Sequence, residues 1–425
     1  MNTPDGKTPW KSLVRISWRS LWRNRRRTYI TLSGISLGFA LTVFFIGIGD
    51  GGHNNMIRNA VNMGDGHLTI QREGYLDAPM NHLFIAQGKQ LEQQLLQAGI
   101  PGRVAPRIQL QVLASTSGNS IGAALTGIQP ETDPKTNQLK KGLVTGEWLT
   151  TGDPQGVVVG ARMAEKLKVK TGSKIVLMAG SEGGGTNTHL VRVRGVFRTG
   201  IEEYDSFVMI SSLDMAQAFL VDEGANPAGR PVTRVAVFLD DESAMGLWKA
   251  RLKALSLPAG LVVLDWQEMM PQLVSFVAFD NIGNYISLVF IFTMVAFGIL
   301  NTIMMGVLER TREFGLLRAL GMSPWALFTL VVMETFWLSL TALAIGWVLG
   351  GGLHAYFALW GLDMSAMYPG GMATSGTVMD SVIYSELSGA RVGMLTGLIL
   401  GITLLSGLYP AYRALRVTPL QALQT

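Results

Sequence analysis

The chain has 425 residues, of which 48% are hydrophobic and 15% charged, with a formal net charge of +5. Soluble domains carry about 25% charged residues, so the shortfall argues against an ordinary soluble protein. The excess positive charge follows a membrane topology, which argues against reading it as a nucleic-acid-binding surface. No cysteine is present, which excludes a disulfide scaffold and thiolate chemistry.

Residues 1–28 form a basic start. Lys7, Lys11, Arg15, Arg19, Arg23, Arg25, Arg26 and Arg27 oppose Asp5 alone, a net of +7. Leu13, Ile16, Trp18, Leu21 and Trp22 recur at roughly helical spacing, which predicts an amphipathic helix lying in the lipid headgroup layer. Residues 29–50 are a first membrane span, long enough for the about 20 helical residues a bilayer needs and too long for the core of a removable signal peptide. Residues 51–281 then form a large extracytoplasmic domain. It begins with a stalk at 51–63 and returns to the membrane through a helix at 266–281.

Alternation within this domain predicts strands at 67–71, 156–160, 174–178, 190–197, 207–210, 235–239 and 261–264, with helices at 87–98, 162–168, 213–220 and 242–255. The fold class is therefore a mixed α/β domain of two subdomains on a membrane anchor of four transmembrane helices. "SEGGGT", Ser181 to Thr186, is expected as a hairpin tip.

The remaining spans are 282–308, 325–353 and 392–409. They are separated by a charged loop at 309–324 and a short extracytoplasmic loop at 354–391, and a tail follows at 410–425. The loop 309–324 has three arginines against two glutamates and the tail adds Arg413 and Arg416, while the extracytoplasmic parts are net negative. The positive-inside rule then places both termini and the charged loop in the cytoplasm and the large domain outside an inner membrane.

The loop is patterned. Phe314, Leu317 and Leu320 recur every three residues, and Glu309 with Arg312 and Arg310 with Glu313 are i, i+3 pairs of opposite charge. Gly321 and Pro324 supply a stop. This predicts a short helix with an apolar ridge covered by a cytoplasmic partner.

"NTIMMGVLERTREFGLLRALGMSP" resembles the signature of the FtsX/MacB/LolC superfamily of ABC-transporter permeases, through Asn301, Glu309, Arg310, Glu313, Gly315, Arg318, Ala319 and Gly321. "GLYPAYRALRVTPLQAL" resembles the family's end motif through Pro410, Ala411, Ala414, Pro419 and Ala422, and "LWRNRRRTYITLSGISLG" its entry into the first span. The stretches around Gly156–Leu177 and Val193–Ile210 resemble the periplasmic domain of the LolC/LolE branch.

The resemblance implies that the loop is a coupling helix gripped by a separate ATPase dimer. Its contact set would be Glu309, Arg310, Arg312, Glu313, Phe314, Gly315, Leu317, Arg318, Ala319 and Gly321. It also implies a second permease, either a copy or a paralogue, and a periplasmic acceptor or adaptor as a further partner. No G-x-x-x-x-G-K-[ST] occurs, so ATP and Mg are used by the partner and this chain binds no cofactor of its own. The expected function is mechanotransmission that extracts a lipoprotein or other amphipathic cargo from the outer leaflet. MacB-like efflux of peptides or drugs and FtsX-like signalling to a cell-wall hydrolase are the alternatives.

Glu334 is the one charge in the interior of a span, Asp50 standing at the last position of the first. A central charge costs roughly 3 kcal/mol on insertion scales, so burial with a polar partner, Asn301 or Asn284, is expected. The histidines show no metal-like spacing, no carboxylate cluster has a nucleophile beside it, and the chain is read as non-catalytic. Met294, Met304, Met305, Met364 and Met367 are expected to pack.

Overall fold

In chain order the elements are α1 (Trp10–Leu21), α2 (Arg25–Met63), β1 (Leu68–Arg72), α3 (Gly88–Gln97), β2 (Gly102–Ser115), β3 (Ser120–Ile128), α4 (Pro134–Lys141), β4 (Leu143–Gly146), β5 (Gly156–Gly160), α5 (Ala161–Leu167), β6 (Lys174–Gly180), β7 (Thr186–Phe197), α6 (Glu202–Phe207), β8 (Val208–Ser212), α7 (Leu213–Gln217), β9 (Arg234–Leu239), α8 (Met245–Ala254), β10 (Leu261–Asp265), α9 (Trp266–Met269), α10 (Pro271–Glu309), α11 (Thr311–Ala319), α12 (Pro324–Trp360), β11 (Leu362–Asp363), β12 (Met372–Thr374), β13 (Thr377–Met379), β14 (Val382–Ile383) and α13 (Gly389–Leu415). This computed structural model describes residues 10–180, 185–220, 229–255, 257–367, 372–374 and 377–418. Most of the expected hairpin tip, 181–184, lies outside them, as do Lys7, Pro419 and Ala422. The chain divides into two compact units, residues 1–53, 278–363 and 382–425 forming one and residues 54–277 and 364–381 the other.

The first unit is helical. Helices α2, α10, α12 and α13 are each long and apolar enough to cross a membrane. The expected spans fall within them, and the expected stalk 51–63 continues α2 without a break. Their shared core is built from Leu32, Ile35, Phe39, Val43, Leu288, Phe292, Leu338, Ala342, Leu395 and Ile399.

Small residues set the closest approach. A Cβ at Gly350 of α12 would lie 2.9 Å from the Cα of Ala40, and one at Gly346 would lie 2.8 Å from the Phe39 ring. This is the small-xxx-small packing of membrane helices. Gly350→Leu is expected to cost about 1–3 kcal/mol by overpacking. Gly352→Leu, whose site meets nothing within 4 Å, is the neutral control. Thermal melts of the detergent-solubilised chain read the difference.

At the end of this unit away from α11, Arg391 bonds Asp50 (3.0 Å) and the Tyr285 hydroxyl (2.8 Å), joining α2, α10 and α13. Met294, Met305 and Met367 are 76%, 52% and 70% exposed. They are not packing residues within this chain: Met294 and Met305 lie on the side of α10 that its apolar length turns outward, and Met367 lies in the loop after β11.

The second unit is built on one sheet. Among the described residues it has ten strands in the order β10-β1-β9-β2-β3-β8-β5-β7-β4, with β6 pairing β2 and β7. The long strand β2 pairs β9 through Gly102–Arg107 and β3 through Ile108–Ser115, both antiparallel. The two expected subdomains therefore share a strand. They also share a core, which runs from Leu68, Ile70 and Val235 to Val157, Met163 and Val193. Hairpin β2–β3, helices α4 and α6, and strand β4 are elements that the alternation pattern missed.

Candidate coupling site

Helix α10 ends at Glu309 because Arg310 leaves helical geometry (φ −102, ψ 11). The Thr311 hydroxyl then donates back to Leu308 O at 2.8 Å, filling one of the carbonyls left open there. Helix α11 ends in a Schellman motif: Met322 N bonds Leu317 O at 3.0 Å and Gly321 N bonds Arg318 O at 3.1 Å. Gly321 has φ +92 with open space where a Cβ would be, so glycine is required by the backbone and not by crowding. Ser323 caps α12, accepting from Ala326 N at 3.2 Å, with Pro324 in its first turn.

The structure divides the expected contact set between two faces. Phe314 is 1% exposed and packs with Leu13, Val307, Leu327, Leu330 and Val331 of the same chain. It was expected on a ridge open to a partner; instead α1 and α12 cover it. Gly315 is buried and Leu317 half-buried against the same cluster. The guanidinium of Arg310 lies 5.1 Å from the Phe314 ring centre. Facing out are Arg312, Ala319 and Gly321, with Leu316 at 58% and Leu320 at 75% exposure. Arg318 is half-buried, and its buried Nε has no hydrogen-bond partner among the described residues. The outward apolar pair is thus Leu316 and Leu320, one helical turn apart.

The charges form a network different from the one spacing suggested. Arg310 bonds Glu313 at 3.2 Å, as the i, i+3 pattern predicts. Glu309 meets Arg27 of α2 at 3.1 Å instead of Arg312. Glu313 is also bonded by Arg23. Partial loss of solvent pushes the Glu313 carboxyl up, but Arg23 and Arg310 outweigh this and hold it below its ordinary value.

Glu334 on α12 accepts from Arg310 at 3.0 Å and from the Ser20 hydroxyl at 3.2 Å. Its partners are therefore an arginine and a serine. Asn301 is exposed on α10, and Asn284 donates to Asp280 at 3.2 Å. Glu334 belongs to the α11 end of the bundle.

Sequence reasoning missed Ser20, Arg23 and Arg27. Their signal was available: the positive-inside rule puts these arginines on the same side as Glu309 and Glu313. Helix α1, expected to lie in lipid, buries Leu13, Ser17 and Leu21 in the protein and sets Trp18 against Trp337, ring centres 5.3 Å apart. Trp10, Ile16 and Trp18 remain 61%, 41% and 41% exposed. From the end motif, Pro410, Ala411 and Ala414 are buried, the two alanines in the Phe314 cluster. No group of three or more potential metal ligands occurs among the described residues.

Comparison with known proteins bears on this geometry. Residues 28–255 match the model of the MacB-like periplasmic core domain, and residues 285–419 that of the FtsX-like permease C-terminal region. The lipoprotein-releasing system transmembrane protein LolC of Xylella fastidiosa is 25% identical over 430 residues, covering 97% of this chain and 98% of its own. LolE of Haemophilus influenzae, of the same system, is 21% identical over 421 residues, covering 96% and 98%. Among solved structures, the periplasmic region of MacB from Actinobacillus actinomycetemcomitans aligns with a TM-score of 0.35 at 17% identity, over 49% of this chain and 93% of its own. The match to the periplasmic-core model alone spans more than half of the chain, and the second model covers most of α10 together with α11, α12 and α13. The chain belongs to the LolC/LolE/MacB/FtsX type of ABC transporter permease.

Proposed function

We propose that this permease releases a lipidated, amphipathic cargo from the outer leaflet of an inner membrane, by mechanotransmission from a separate ATPase that docks on the outward face of α11. The observation that carries the docking reading is the division of α11. Its inner face is bound to the bundle through Phe314 and Arg310, and its outer face presents Leu316 and Leu320 beside the exposed cation of Arg312. A helix braced on one side and apolar on the other suits a groove with an acidic rim.

In this reading α11 is cytoplasmic. Helices α2 and α10, each of which passes from the first unit into the second, carry the motion outward to a periplasmic sheet domain. The cargo class rests on the near full-length similarity to relatives whose names state lipoprotein release. A groove of about 320 Å³ between α10 and α13, lined by Leu288, Val289, Phe292, Met394 and Leu398, offers an acyl chain an apolar bed.

Leu316→Asp with Leu320→Asp is the discriminating variant. Co-purification of the ATPase with the full chain should fall by about tenfold or more, because buried apolar anchors dominate such interfaces. Undiminished co-purification would remove α11 as the docking element. Phe314→Asp is the wrong test, since it puts a charge in this chain's own core.

A further inference from the structure

The charged side chains at the α11 end form one connected path. Arg23, in the turn between α1 and α2, bonds Glu313 of α11. Glu313 bonds Arg310, Arg310 bonds Glu334 of α12, and Glu334 takes the Ser20 hydroxyl of α1. Beside this path Arg27 of α2 holds Glu309, the last residue of α10. The two acids of the coupling segment therefore both pair with arginines at or just before the start of the first long helix, while staying about half exposed.

An independent feature points the same way. A Cβ on Gly306 would lie 2.6 Å from Arg27 Nη1 and 2.7 Å from its Cζ. Glycine leaves the trough in which this guanidinium crosses α10. Arg27, Arg310, Glu334, Thr28, Thr302 and Thr335 also line a cavity of about 30 Å³, the room of one water. Such a slot lets ion pairs exchange partners without repacking apolar side chains. Arg23 and Glu313 are both about half exposed, and ion pairs in solvent stabilise little. Their value lies in fixing the register of one element on another.

We propose that Arg23 and Arg27 are a charge latch that makes helix α2 a direct output of α11. When α11 moves, the two ion pairs pull the start of α2 with it, in addition to whatever passes through the backbones of α10 and α12. Arg23 and Arg27 are positioning residues here; neither belongs to the outward face of α11. The inference rests on the reading that an ATPase moves α11.

The test uses the full chain with its ATPase in lipid nanodiscs. With no native cysteine, spin labels are placed through Leu41→Cys on α2 and Val348→Cys on α12, both exposed. The distance between them is measured with and without ATP, Mg and vanadate, alongside ATPase co-purification.

In the labelled parent a nucleotide-dependent shift is expected. Arg23→Glu with Arg27→Glu should keep the ATPase bound but remove most of the shift. Arg27→Glu combined with Glu309→Arg should restore most of what Arg27→Glu alone removes, because the ion pair of Glu309 is with Arg27; the rescue also guards against misfolding. Gly306→Ala should reduce the shift while leaving every charge in place. An unchanged shift in the double glutamate variant, with the ATPase still bound, overturns the latch alone. Absence of the ATPase from the parent chain overturns the docking reading and the latch with it.

Discussion

Replacing Asp133 with alanine is expected to destabilise the sheet unit by about 3–5 kcal/mol, the cost of leaving a buried cation without its partner. Arg107 on β2 is 1% exposed. It donates to both oxygens of Asp133, from Nε at 2.7 Å and from Nη2 at 2.6 Å. Its other nitrogen, Nη1, serves Gly64 O and Asp65, and Asp65 in turn holds Arg234 of β9. Asp133 also caps α4 by accepting from Lys135 N at 2.8 Å, so the alanine loses a cap worth about 1 kcal/mol as well.

Thermal melts of the purified full chain, resolved by hydrogen exchange at β2 and α4, would measure the loss. Asp133→Asn keeps an acceptor for the cap and should fall between wild type and Asp133→Ala. Replacing both partners, Arg107→Met with Asp133→Leu, should recover part of the loss, because an apolar pair does not pay for desolvating two charges. A double variant as unstable as Asp133→Ala would mean that the ion pair is not the origin of the effect.

The arginine pair at Arg107 and Arg234 also shows where reading the chain ran short. Strand β5, "GVVVG", was legible at its bounds because a fully buried strand is a short apolar run between glycines. Strand β2 was missed although it is the longest in the sheet. Its sequence puts Pro106 and Arg107 where a strand pattern expects apolar residues, and their reason is tertiary: β2 changes partners there, from β9 to β3, and Arg107 serves Asp133. Strand β3 was missed because it is rich in glycine and alanine. At Gly127 a Cβ would lie 2.3 Å from that of Ala216 on α7, so the position is small to admit a helix, and no local pattern announces that.

The four long apolar helices were legible because length and composition alone define them. At α11 the existence, charge and stop of the helix were readable, while its orientation was not. A period of three put Phe314, Leu317 and Leu320 on one ridge. The actual 3.6-residue turn, with Leu13 and Leu327 on one side, draws Phe314 inward and leaves Leu316 and Leu320 outside. An apolar stripe says that something covers it; whether the cover is lipid, partner or the same chain is decided by elements distant in sequence. The same ambiguity sent α1 to the lipid, when half of its stripe belongs to the bundle.

Lys135 gives the second large effect, and its sign can be worked out. It is 6% exposed, with its Nζ 6.0 Å from the Tyr204 ring centre. Burial pushes its pKa down to about 7, the charge of Arg107 acts in the same direction, and Asp133 opposes both. In the unfolded chain the amine titrates near 10.5. Between about pH 7 and 10.5 the unfolded state therefore binds more protons than the folded one, so stability rises with pH across that window. Below pH 7 both states are protonated and the full cost of the buried charge is present. The rise is worth at most a few kcal/mol.

Tyr75 and Arg234 act above that window. Burial pushes the pKa of Tyr75 up to about 12 from 10, so above pH 10 its contribution falls, while burial pushes Arg234 down to about 10 from 12.5 and its contribution there has the opposite sign. Melting temperature should accordingly climb from pH 7 toward pH 10, with the steep part of the rise ending there. Lys135→Met should melt higher than wild type at pH 6.5 and lose the climb, since methionine fills a similar volume without a charge to desolvate. A wild-type profile flat from pH 7 to 10 would mean that Asp133 keeps Lys135 charged throughout. Lys135→Met would then leave Asp133 with fewer cations and lower stability at every pH, the opposite sign to that expected from burial.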